Sequence, residues 1–211
     1  MKLVKKYKKW RASSLKLMKK IKERYFTIDI LYESGKALGM LRGKTLVFEA
    51  EEDEYALLDY AFFEHRIHGK NIVEIYRESV GGKNRKERIL LDALASAYTS
   101  LFEIVSVSPS ESTLLLRDIL NEKEGTEKLV DVGLSSSALP GYLAFLRLIK
   151  LEDFCMTSGI GFLFPPEEKN LLLKRSRRLK EKITSKAKLP RKLFTAFYKW
   201  NKTRGIPTIY I

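Results

Sequence analysis

One cysteine, two histidines and no long apolar run set the first limits on this 211-residue chain. A single thiol, Cys155, cannot form an intramolecular disulfide framework or a cysteine-rich zinc site. A lone thiol fits a reducing compartment. No stretch approaches the ~20 consecutive apolar residues that a bilayer-crossing helix needs. The first residues are basic, but lysines recur through Met18-Lys19-Lys20-Ile21-Lys22 where a secretory signal would be apolar. The expectation is a cytoplasmic protein with no transmembrane segment. Apolar residues make up 45% and charged residues 31%, the balance of a folded chain rather than a disordered one.

Charge is abundant but segregated. Residues 1–26 carry 11 Lys+Arg against the single acid Glu23, and residues 169–211 carry 14 against the single acid Glu181. The 142 residues between them hold 15 Lys+Arg and 24 Asp+Glu. The two ends therefore carry a surplus of 23 positive charges and the middle −9, which leaves the net +14. The acidic middle can offset at most nine of the 23, so much of the basic surface is expected to stay exposed.

The N-terminal segment reads as an amphipathic helix over 2–25. Leu3, Tyr7, Trp10, Leu17, Ile21 and Tyr25 recur at helical steps, with Ser14 the one polar entry, and lysines fill the other faces. Phe26–Tyr32 is rich in β-branched and aromatic residues and predicts a strand. Glycines 35, 39 and 43 predict turns, and Thr45–Phe48 a second strand or the start of the next helix. Acids crowd Glu51–Glu54, as suits a helix N-terminus, and a helix is expected over 51–67. Further helices are expected over 71–79 and 84–98, the last with Ile89, Leu90, Ala93, Leu94 and Ala97 as its buried stripe.

The pattern then changes. Leu101–Val107, Ser112–Ile119, Glu127–Val132, Tyr142–Leu151 and Phe154–Phe164 read as five short strands, with Ser135–Ser137 in a loop. They predict a small antiparallel barrel-like module. The C-terminal segment returns to basic helix around Leu171–Leu173, Leu179 and Ile183. Pro190 opens a further helix carrying Phe194, Phe197, Tyr198 and Trp200, and Thr208–Ile211 reads as a strand or docked tail. The fold class is α+β: a mainly helical region over 1–99, a five-stranded barrel-like module over 100–166 and a basic helical segment over 167–211.

No catalytic motif survives scrutiny. Gly39–Thr45 looks like a phosphate-binding loop, but three residues separate its glycines where four are required. His65 and His68, with Asp59 and Glu64 nearby, have a metal-ligand spacing but no marked further ligand, and Arg66 would oppose a cation. Two helix-end histidines are the simpler account. Ser135–Ser137 and Ser158-Gly159-Ile160-Gly161 lack a nucleophile elbow. Cys155 lies in an apolar strand pattern and reads as packed. Leu114–Asp118 has the outline of a metal-binding strand end without a partner motif. No catalytic residue, metal ligand or cofactor is assigned.

The remaining signal is the basic ends. Phosphate contacts need Lys and Arg in number. Lys5, Lys6, Lys8, Lys9, Arg11, Lys174, Arg175, Arg177, Arg178, Lys180, Arg191 and Lys192 are the candidate nucleic-acid contacts, DNA or RNA. Tyr7, Trp10, Phe197, Tyr198 and Trp200 are interleaved aromatics that could stack on bases or instead anchor the terminal helices in the core. The expected function is a non-enzymatic nucleic-acid-associated protein. The alternatives are a protein-interaction or scaffold module, self-associating through its aromatic-rich termini, an enzyme with a pocket around Asp59, His65 and His68, and a membrane-surface protein.

Leu57-Leu58-Asp59, Ser100–Val105, Leu116–Leu120, Pro140-Gly141-Tyr142 and Ser158–Phe162 carry a resemblance. Residues 50–167 resemble a group of uncharacterised bacterial proteins with a helical segment followed by a small β module, some with a C-terminal SEC-C zinc motif. That motif is absent here, so the resemblance implies an architecture and no metal or activity.

Overall fold

The computed structural model describes residues 2–122, 124–185 and 187–207. The expected tail at Thr208–Ile211 lies outside them. Helix α1 spans Lys2–Tyr25 and buries Tyr7, Ser14, Leu17 and Ile21, the stripe its spacing predicts. The next segment corrects the predicted strand: Ile28–Leu38 is helix α2. Thr27 caps it, its hydroxyl accepting from the Ile30 amide at 3.3 Å, and Asp29 stands in the first turn. Gly35 lies inside the helix and marks no turn. A Cβ there would meet the Leu46 side chain at 2.1 Å, so the glycine lets the following hairpin lie against α2. Gly39, at φ 83°, is the left-handed C-cap. Strands β1 (Leu41–Arg42) and β2 (Thr45–Leu46) form that hairpin around Gly43-Lys44, so the glycine-rich stretch is a cap and a turn.

Helix α3, Glu51–Asp59, runs directly into a π-turn over Tyr60–Glu64, where the His65 amide bonds the Tyr60 carbonyl at 2.8 Å. Helices α4 (Ile72–Ser79) and α5 (Arg85–Ala95) follow, each with an asparagine cap. Leu90, Leu91, Ala93 and Leu94 are buried in α5, whereas Ile89, expected in the stripe, is exposed.

The β module comprises β3 (Tyr98–Ser108), β4 (Thr113–Asp118), β5 (Glu127–Val130), β6 (Leu143–Lys150) and β7 (Cys155–Phe164). Pairings run β3–β4, β4–β5, β6–β7 and β6–β3, all antiparallel. The ring is joined at β5 and β7 by one parallel pair, Leu129 with Cys155, so the sheet is mixed rather than antiparallel. Geometry dictates this. Direction cannot alternate all the way round an odd number of strands, so one seam must be parallel. In chain order the five strands pair 1-2-3-5-4 and back to 1, the strand order of the OB barrel. A short helix, α6 (Val132–Ser137), stands between the third and fourth strands, where a loop was expected. The Asp131 carboxylate caps it by accepting from the Leu134 amide at 3.0 Å. The three serine hydroxyls bond back to carbonyls of their own helix.

Helices α7 (Lys169–Lys182) and α8 (Leu189–Arg204) complete the described chain. Three apolar cores result. One joins α1, α4, α5 and the π-turn to Val130, Ile149 and Met156. A second packs α2, α3, α7 and α8 on Leu101, Phe145, Phe162 and Phe164. The third fills the barrel, with Phe102, Ile104, Leu116, Leu129, Leu146 and Leu148. Strand β6 shows the logic. Ala144, Leu146 and Leu148 face the barrel, while Phe145 faces the second core and Ile149 the first.

Candidate nucleic-acid interface

The structure places the candidate cations in two separate settings. On α1, Lys5, Lys8 and Lys9 are exposed, Lys6 is paired with Asp153 of the β6–β7 loop, and Arg11 Nη1 donates to the Thr157 carbonyl at 2.6 Å. This helix packs on α4 and α5. On α7 and α8, Lys174, Arg178 and Lys192 are exposed. Arg175 lies over the Trp200 ring at 5.6 Å, and Arg191 is half-buried. Arg177 pairs with Glu122 at 3.2 Å, and Lys180 Nζ donates to the Leu120 carbonyl at 2.7 Å.

These contacts tie α7 along the barrel from β3 to the β4–β5 connection. At the other end of α7, Lys169 pairs with Glu103 of β3 at 2.8 Å. The same carboxylate lies 3.6 Å from Arg117, an exposed residue of β4. Arg117 and Lys169 thus join Lys174, Arg177, Arg178 and Lys180 in one strip. Sequence reading missed both, because neither belongs to a conspicuous basic run; Arg117 alternates outward on a strand, and that alternation was its only signal. Among the described residues no carboxylate pairs with Lys174 or Arg178, so their charge is uncompensated at contact range.

Among the described residues, six cations of the two terminal segments pair with acids of the middle: Lys6, Lys20, Lys169, Arg177, Lys202 and Arg204. This is the partial neutralisation the charge arithmetic allowed. The aromatics resolve toward anchoring. Tyr7, Phe197 and Tyr198 are buried, and Trp10 and Trp200 pack half-buried against the first and second cores. They hold the terminal helices in place.

The electrostatic centre of the molecule is elsewhere, and buried. Arg147 interrupts the apolar run of β6 where the pairing with β7 shifts between Leu146 and Leu148. It lies on the outward side, between Phe145 and Ile149, hence between the two helical cores. Its guanidinium bonds Asp59 at 3.0 Å and Glu64 at 2.7 Å and covers the Phe63 ring at 4.2 Å. Burial alone would lower its pKa; the two carboxylates raise it instead. Asp59 and Glu64 are five residues apart, a spacing that an α-helix splays and a π-turn brings into line. The acidic-histidine cluster does not form around them: Asp59 faces Arg147, and neither His65 nor His68 lines the cavity beside Asp59. His68 sits at φ 50° in the tight turn joining Ile67 to Lys70. Burial, with Arg191 adding to it, holds the pKa of His65 below its usual value. Among the described residues no group of three His, Cys, Asp or Glu side chains could hold a metal. Burial and the Glu127 carboxylate push the Cys155 thiol up to about 12, as befits a packed rather than reactive cysteine.

A further buried carboxylate, Asp53, pins α8. Asp53 accepts from Lys202 at 2.6 Å, from the Tyr198 hydroxyl at 2.8 Å and from the Glu49 amide at 2.8 Å. Burial alone would raise its pKa, but those donors outweigh it and leave the carboxyl below its usual range. A depressed folded-state pKa contributes stability above the unfolded value and loses it as pH falls through the folded one. Denaturant midpoints are therefore expected to fall below about pH 4. Asp53→Asn should lower the midpoint at pH 7 and flatten that acid limb, as urea titrations between pH 3 and pH 7 would show.

Residues 1–211 match DUF7986, a family of unknown function, and the chain belongs to that family. The match spans the whole chain, further than the resemblance over 50–167. No curated protein and no solved structure matches. Among the described residues no helix is long and apolar enough to cross a membrane.

Proposed function

We propose that this is a non-enzymatic nucleic-acid-associated protein that binds through α7 and the adjoining outer face of β4. The observation that carries this reading is the strip formed by Arg117, Lys169, Lys174, Arg177, Arg178 and Lys180, in which Glu103 and Glu122 pair with Arg117, Lys169 and Arg177 and Glu181 stands beside Lys174, Arg177 and Arg178. The OB strand order supports it, since such barrels bind oligonucleotides on the face of their second and third strands, here β4 and β5. Fold alone assigns no function, so the reading rests on the strip. Lys5, Lys8 and Lys9 of α1 add a second basic surface.

The burial of the aromatics shapes the expected mode. With Tyr7, Phe197 and Tyr198 buried and Trp10 and Trp200 half-buried, binding rests mainly on phosphate contacts, which position a strand but read little sequence. The test is fluorescence anisotropy with labelled single- and double-stranded DNA and RNA across a salt series. The variant is Lys174→Glu/Arg178→Glu, both residues exposed and, among the described residues, in no ion pair. Removing the chain beyond Pro166 would be uninformative, because it strips Phe194, Phe197 and Tyr198 from the second core. Two lost phosphate contacts should flatten the log affinity against log salt slope by about two and weaken binding at least about tenfold near physiological salt. An unchanged slope and affinity in a folded variant would overturn the assignment to α7. The absence of wild-type binding above low salt would overturn the function.

A further inference from the structure

A cavity of about 410 Å³ opens between α1, α6 and β7, away from the basic strip. That size is within the range of small-molecule pockets. Leu134, Leu146 and Leu163, which belong to or pack on the barrel core, and Ile160 supply an apolar wall. Two charges of opposite sign stand in the same cavity: Arg11 of α1 and Asp131, the cap of α6. Both are half-buried.

Among the described residues neither Arg11 nor Asp131 forms an ion pair, with the other or with anything else. One residue orients both. The Thr157 carbonyl accepts from Arg11 Nη1 at 2.6 Å, and the Thr157 hydroxyl donates to Asp131 Oδ2 at 3.1 Å. Most of the guanidinium donors are left unspent. Gly159, at φ 123°, makes the room that Arg11 occupies, since a Cβ there would lie 2.9 Å from Nη2. Tyr7, only 8% exposed, also lines the cavity, and its hydroxyl makes no hydrogen bond among the described residues. Burial and Asp131 raise the Tyr7 pKa while Arg11 opposes them, so the phenol stands within reach of both charges and keeps its proton as a donor.

Opposite charges fixed side by side, yet not paired with each other, suit a ligand that carries both signs. A polyanion would be repelled by Asp131, and a simple amine by Arg11. A neutral apolar molecule would leave both charges without a partner. We infer that this cavity binds a free α-amino acid with an apolar side chain, its carboxylate on Arg11, its ammonium on Asp131 and its side chain against Leu134, Leu146, Ile160 and Leu163. Such a molecule bears its two charges on one carbon, as Arg11 and Asp131 are both held by one threonine. The inference is independent of nucleic-acid binding, because the cavity and the α7 strip share no residue.

The test is isothermal titration of the full chain with leucine, methionine and phenylalanine. Isocaproate, isoamylamine and glycine run beside them, lacking in turn the ammonium, the carboxylate and the apolar side chain. At least one of the three amino acids is expected to bind, with isocaproate, isoamylamine and glycine each at least about tenfold weaker. Asp131→Asn removes the charge but keeps the α6 cap, because asparagine caps as well as aspartate does. It should weaken the amino acid at least about tenfold and strengthen isocaproate, an inversion that loss of structure would not produce. Arg11→Gln should weaken the amino acid likewise and strengthen isoamylamine instead. Failure of all three amino acids to bind the folded wild-type chain would overturn the inference. So would isocaproate binding as tightly as the amino acid, or an amino-acid affinity unchanged in both variants.

Discussion

Arg147→Ala is expected to cost about 3–5 kcal/mol, because it leaves Asp59 and Glu64 buried without their cation. For a domain whose total stability is of order 5–15 kcal/mol, that is a large fraction. The expected result in a urea titration is a midpoint shifted far to lower denaturant, or no folded baseline at 37 °C. The direction of the effect comes from desolvation rather than from the pair's own attraction. Three charges held out of water gain little over well-packed apolar groups, so the triple variant Arg147→Met/Asp59→Leu/Glu64→Leu should recover most of the loss. Recovery would identify the cluster as a device that fixes which helix seats against β6. A triple variant no better than Arg147→Ala would show that the ion cluster itself supplies net stability. Asp59 Oδ1 and Glu64 Oε2 make no further hydrogen bond, so the carboxylates are bound mainly through Arg147.

This cluster also marks how far the sequence could be read. The strand pattern over 142–151 was legible, and Arg147 stood within it as a charge among apolar residues; a buried charge needs a partner. Which partner was not legible. Asp59 and Glu64 lie 88 and 83 residues away, and a π-turn with no sequence signature brings them together. The α1 stripe, the barrel strands and the paired basic helices could be read because each is a local periodicity. Phe26–Tyr32 misled because its β-branched residues suit a strand, while Thr27 as cap and Gly39 as stop decide for helix once the hairpin packs on Gly35. The parallel seam of the barrel followed from strand count, but only once closure was known. The basic strip was half visible: its α7 members lie in a conspicuous run, whereas Arg117 and Lys169 join it through a shared Glu103.

The second large effect concerns the anchoring of the basic C-terminal helices. Phe197 is fully buried and stacks on Phe145 of β6 with ring centroids 3.9 Å apart and planes within 8°. It also meets Phe164 edge-on at 6.0 Å and Trp200 at 4.9 Å. Phe197→Ala removes the ring where α8 meets the barrel, at an expected cost of about 3–5 kcal/mol. Phe197→Leu retains most of the volume and should cost distinctly less, with the lost stacking contributing about 0.5–1.5 kcal/mol of it. The consequence for function differs from that of Arg147→Ala. Helix α7 keeps its own ties to the barrel through Lys169, Arg177 and Lys180, so weakening α8 should loosen the Asp53–Tyr198–Lys202 contacts before the basic strip. Hydrogen exchange should show accelerated opening of 189–204 in Phe197→Leu, ahead of 169–182. On the proposed function, and under conditions where that variant remains folded, DNA affinity should stay within about twofold of wild type, because the proposed phosphate contacts lie on α7. Simultaneous opening of both helices, with loss of DNA binding in step, would instead make α8 the element that holds the interface together.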